Sequence, residues 1–67
     1  MFSMDKIKRL AARARRYVKQ RRTLVLDYMS PEQDKVTLGE TISIAERAKC
    51  DWLYNDDTGE ARFFEGN

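Results

Sequence analysis

Residues 36–44 read Val36-Thr37-Leu38-Gly39-Glu40-Thr41-Ile42-Ser43-Ile44, and the way this stretch folds decides the architecture of the chain. Val36 and Leu38 precede the glycine, and Ile42 and Ile44 alternate with polar residues after it. That two-residue period is the one of a half-buried strand. Gly39-Glu40 supplies a tight turn between the halves, since glycine accepts a positive φ without steric cost. The competing reading begins a helix over 44–54, with Ser43-Ile44-Ala45-Glu46 as a capping box. The alternation favours strands.

Toward the C-terminus, Trp52-Leu53-Tyr54 and Arg62-Phe63-Phe64 are aromatic-rich runs separated by Asn55-Asp56-Asp57-Thr58-Gly59, a segment dense in turn formers. This pattern predicts a hairpin. Toward the N-terminus, Leu24, Leu26 and Tyr28 alternate with Thr23, Val25 and Asp27, which predicts another strand. Ser30–Lys35 joins the two regions as a polar turn holding the only proline, Pro31. Ser30-Pro31-Glu32-Gln33 also fits a helix start, but no apolar run follows to sustain one.

Residues 4–21 predict a helix. Ser3 is its cap and Asp5 sits in the first turn, where the helix dipole favours a negative charge. Ile7, Leu10, Ala11, Ala14, Tyr17 and Val18 recur at three- and four-residue steps and form one narrow apolar stripe. Lys6, Arg9, Arg13, Arg16 and Gln20 line the opposite side, with Lys8, Arg15 and Lys19 on the flank. Arg21 rotates into the stripe, so the helix ends near it.

Charge divides along the chain. Residues 1–22 hold nine bases against Asp5 alone, a net +8, while residues 23–67 carry a net −6. The total of +2 hides this dipole. A positive segment draws polyanions, and a negative one repels or neutralises them. An arginine-rich, acid-poor amphipathic segment of this kind also fits a mitochondrial presequence, although Ser3 is its only serine. With 67 residues, the chain makes one domain that buries about 60% of its unfolded surface. Its single cysteine, Cys50, forms no internal disulfide, which suits a reducing compartment, and a cytoplasmic location is expected.

In order, residues 24–67 resemble a Src-homology-3 domain, a small five-stranded barrel. Leu24-Val25-Leu26-Asp27-Tyr28 is similar to its opening ALYDY motif, and Glu32 to Lys35 to its acidic loop. Gly39-Glu40 with Thr41–Ile44, then Asp51-Trp52, then Thr58-Gly59-Glu60 through Asn67 resemble the later motifs. The departures are Leu26, Leu53 and Glu65 in place of a tyrosine, a tryptophan and a proline, a shortened turn before Gly39, and the lack of a final strand. The resemblance implies a partly open barrel of four strands, and the apolar stripe of the N-terminal helix makes that helix the expected cover for the bare edge. It also implies a peptide-binding surface at Tyr28 and Trp52, with Glu32 and Asp34 meeting a basic ligand residue.

Catalysis finds no support in the composition. There is no histidine, the commonest general base and metal ligand, and Cys50 alone builds neither a zinc site nor an activated nucleophile. Asp56-Asp57 lacks calcium-loop spacing, and none of the three glycines sits in a phosphate loop. The expectation is an α+β domain, not an enzyme, with no metal and no cofactor. It is expected to act as a non-catalytic binding module. A protein partner, reached through Tyr28, Glu32, Asp34 and Trp52, leads. A nucleic acid held by Lys6, Arg9, Arg13 and Arg16 is the alternative. An inhibitor from a mobile element that masks a charged host surface is a third reading. A membrane partner is disfavoured, because the apolar stripe lacks the bulky residues of an interfacial anchor. The plain alternative for the helix is a solvated basic face that only covers the core.

Overall fold

The computed structural model describes residues 4–29 and 34–66. Two helices pack on a three-stranded antiparallel open sheet. The order is α1 (Met4–Lys19), β1 (Leu24–Leu26), α2 (Leu38–Ala48), β2 (Asp51–Asn55) and β3 (Glu60–Phe64). β3 lies in the middle of the sheet, so β1 and β2 are both edges. Leu24 pairs with Phe63 and Leu26 with Ala61, and on the other side Trp52 pairs with Phe63 and Tyr54 with Ala61. Paired residues share a face, so Leu24, Leu26, Trp52, Tyr54, Ala61 and Phe63 all point one way.

That face meets the helices. Ile7, Leu10 and Ala14 of α1, Ile44 and Ala45 of α2, and Leu24, Leu26, Ala61 and Phe63 of the sheet form one buried core. Val36 joins it from the connection before α2. The opposite face carries Val25, Leu53, Arg62 and Phe64 and has no covering layer among the described residues.

The strands expected over 36–44 are corrected to a helix, and the four expected strands to three. The reason lies at Thr37. Its hydroxyl accepts from the Glu40 amide at 3.1 Å, and the Glu40 carboxylate accepts from the Thr37 amide at 2.9 Å. This reciprocal box satisfies two amides that a helix start leaves bare. Once α2 begins there, Thr41, Ile44, Ala45 and Ala48 fall on one face at three- and four-residue steps and are buried. Thr41, the one buried polar residue among those described, donates its hydroxyl to the Thr37 carbonyl at 2.9 Å. The capping box read at Ser43–Glu46 lies in the middle of this helix.

The Src-homology-3 likeness needs a strand at Thr41–Ile44, and the chain makes helix there. The N-terminal helix does not replace a missing edge strand either. It stands in the helical layer beside α2, its buried residues in the shared core.

α1 ends two residues earlier than the expected 4–21, and the ending is specific. The Arg22 amide donates to the Tyr17 carbonyl and the Arg21 amide to that of Val18, both at 2.9 Å, with Arg21 left-handed at φ 57°. This is a Schellman closure made with arginine where glycine is usual. The expected hairpin forms with its turn at residues 56–59, and Gly59 takes φ 72°. The expected Ser3 cap and residues 30–33 of the expected turn at Ser30–Lys35 lie outside the described residues.

Candidate functional site

The four residues before α2 are each tied down. Asp34 accepts from both terminal nitrogens of Arg9, at 3.2 and 3.3 Å. The Lys35 carbonyl accepts from Lys6 Nζ at 2.8 Å, the Val36 carbonyl from the Tyr54 hydroxyl at 3.2 Å, and Thr37 closes the capping box. Lys6 also lies 3.4 Å from the Glu40 carboxylate. The basic face of α1 near its start is thus spent on fastening the segment that launches α2. Hydrogen bonding and the charge of Asp34 hold the Arg9 guanidinium above its ordinary pKa, so it stays cationic throughout.

Of the cations expected to meet a polyanion, Lys6 and Arg9 are therefore neutralised within the molecule. Arg13 has an internal partner as well. Arg16 has no partner among the described residues, and it is exposed.

Three further cations of α1, Lys8, Arg15 and Lys19, form no ion pair with a described residue and lie on its flank. Lys8, Ala12, Arg15 and Lys19 follow one another at steps of four, three and four residues, so they form one stripe, and all are exposed. Two shallow depressions meet at Ala12. One, about 180 Å³, is lined by Lys8, Ala11, Ala12, Arg15 and Arg47. The other, about 270 Å³, is lined by Ala12, Arg15, Arg16 and Lys19. Neither lining contains a carboxylate. Arg47 is brought in from α2 by Arg15, whose Nη2 donates to the Arg47 carbonyl at 3.0 Å. That bond also satisfies a carbonyl in the last turn of α2, where helix carbonyls lack internal partners.

Sequence reasoning placed Lys8, Arg15 and Lys19 beside the expected site rather than in it, and it passed over Arg47. The charges of Lys8, Arg15 and Lys19 were readable, but not which cations of α1 are neutralised. Asp34 and Glu40, the acids that pair with Arg9 and Lys6, come from residues 34–40 and load one side of the helix. Arg47 became readable only once residues 38–48 were known to be helical.

Of the residues expected to bind a peptide, Tyr28 and Trp52 are associated with opposite edges of the sheet. Tyr28 is 68% exposed and follows the edge strand β1, whereas Trp52 is 37% exposed on the opposite edge strand, β2. β3 lies between them, which separates the two edges by roughly 10 Å. Asp34 is engaged by Arg9, and Glu32 lies outside the described residues.

A depression of about 570 Å³ shares no residue with the cationic stripe and differs from it in chemistry. It follows the hairpin and is lined by Leu53, Tyr54, Asn55, Asp56, Asp57, Glu60 and Arg62. Arg62 there is bonded to Glu60 at 2.8 Å, so the net field is negative. Among the described residues no group of three or more acidic, cysteine or histidine side chains is arranged to hold a metal ion. No described helix is long and apolar enough to cross a membrane. Burial, with the Asp51 charge second, raises the Cys50 thiol above its ordinary pKa, which keeps it protonated and poorly nucleophilic at neutral pH.

No protein-family model matches the chain, and no curated protein or solved structure matches it.

Proposed function

We propose that this protein is a non-catalytic binding module that holds a nucleic-acid phosphate backbone on the flank of α1. The observation that carries the reading is the pair of acid-free depressions meeting at Ala12, with Lys8, Arg15, Arg16, Lys19 and Arg47 around them. From Lys8 to Lys19 the stripe runs about 16 Å along the helix, the axial span of about five phosphates of one strand. Ala12 keeps the middle of the stripe low, so a phosphate can approach both flanking depressions without meeting a long side chain. The acidic hairpin turn repels the same ligand and fixes which side of the molecule it meets. Backbone contacts of this kind carry no sequence information, so binding is independent of sequence.

Salt tests this reading. Anisotropy of a labelled mixed-sequence oligonucleotide should report binding in low salt, with log K falling against log salt at a slope of about −4 for five engaged cations. Absence of binding in low salt contradicts the proposal.

Protein binding through a Src-homology-3-like surface has weaker support, because Tyr28 and Trp52 are on opposite edges and Asp34 is occupied. An acidic protein surface, including one that a masking inhibitor would seek, would use the same cations. Polyglutamate competing as well as the oligonucleotide at equal charge would favour that partner.

A further inference from the structure

We infer that the free edge of β2 pairs with the β2 edge of a second copy of this chain, related by a twofold axis at Leu53. β2 is a five-residue edge strand whose outer side has no partner among the described residues. Natural sheets blunt such edges with proline, lysine, bulges or very short strands. The other edge, β1, is protected by its length of three residues. Asp51-Trp52-Leu53-Tyr54-Asn55 has no proline, lysine or bulge and a single charge at its end, Asp51, and it exposes Leu53 at 61% and Trp52 at 37%.

The strand is complementary to itself. In an antiparallel ladder the residues whose amides face outward alternate, so two identical strands pair about a residue and not between residues. Centred on Leu53, the ladder sets Leu53 against Leu53 of the second copy, Trp52 against Tyr54 and Asp51 against Asn55. Aromatic pairs of this kind stabilise a sheet, and no like charges oppose one another. Centred on Trp52 or Tyr54 instead, only three of the five strand residues would pair, whereas the Leu53 centre pairs all five. The dimer would carry a six-stranded sheet with all four helices on one face and two cationic stripes. A ladder this short makes a small interface, so association is weak and depends on concentration. The inference does not depend on the nucleic-acid reading.

Sedimentation equilibrium of the full chain up to about 1 mM tests association. The expected result is a monomer–dimer equilibrium that Leu53→Lys abolishes while leaving the circular dichroism spectrum unchanged. A monomer at every concentration overturns the inference. Register is tested by disulfide trapping in a Cys50→Ser background. Leu53→Cys should cross-link rapidly, because the two positions are opposite, whereas Asn55→Cys should not. Equal trapping at both positions, or faster trapping at 55, overturns the twofold axis at Leu53.

Discussion

Arg9 of α1 grips Asp34 through both terminal nitrogens, Nη1 to Oδ2 at 3.2 Å and Nη2 to Oδ1 at 3.3 Å. The pair joins residues 25 positions apart and couples the basic helix to the segment that launches α2. It also removes Arg9 from the pool of cations open to a ligand. Asp34→Asn releases Arg9, so the salt slope of oligonucleotide binding should steepen by about one and the affinity should rise in low salt. An unchanged slope would mean that Arg9 does not reach the ligand even when freed.

Thr37→Ala removes the hydroxyl half of the capping box. Loss of an N-cap costs about 1 kcal/mol, which in a domain of this size lowers Tm by roughly 4–8 °C. Thermal melts of the variant and wild type check it. No change in Tm would place the start of α2 under the control of Val36 packing and not of the cap.

Arg21→Gly should stabilise the fold by about 0.5–1 kcal/mol. The residue holds φ 57°, a region costly for any side chain with a Cβ and free for glycine. Urea titration reads the shift in midpoint. A loss of stability would show that Arg21 contributes contacts worth more than its backbone strain.

Cys50 should alkylate more slowly in the native protein than in the urea-unfolded chain at pH 8. Its thiol is raised above the ordinary value of 9.0 by burial and then by Asp51. The sign for stability follows from the same shift. The contribution of the neutral thiol is complete below the unfolded pKa and is lost as pH rises through the folded one. Wild type should therefore lose stability relative to Cys50→Ser only in alkaline solution. Equal alkylation rates in native and unfolded chains would contradict the shift.

Gly66 should accept a methyl group. A Cβ built there meets only the Asp51 carboxylate, the far end of an exposed side chain where β2 begins. Gly66→Ala is expected to turn that carboxylate aside with little change in Tm, and a drop of several degrees in thermal melts would show that Asp51 is held in place.

Much of this fold is legible in the sequence where one period dominates. The apolar stripe of α1 is buried as expected at Ile7, Leu10, Ala11 and Ala14, and the two aromatic runs form the expected hairpin. Residues 36–44 misled because Val36, Leu38, Ile42 and Ile44 alternate while Thr41, Ile44, Ala45 and Ala48 also step by three and four. Only the second set is buried as a face, with Leu38 and Ile42 left exposed. The deciding signal was local: Thr37 and Glu40 stand at the spacing of a capping box, and a strand reading gives that spacing no role. The cationic stripe was half legible. The sequence reports the charges of α1, but which of them are neutralised depends on where residues 34–40 land. That placement follows from α2 being a helix.

The central claim is that the free cations on the flank of α1, and not the ion-paired ones near its start, hold a polyanion. Oligonucleotide binding in low salt by wild type, by Lys8→Gln/Arg16→Gln/Lys19→Gln and by Lys6→Gln/Arg9→Gln tests it most directly. The account predicts that the first variant loses nearly all binding at unchanged Tm, while the second melts lower and binds almost as tightly as wild type. Equal losses of affinity in the two variants, or a larger loss in the second, would contradict it.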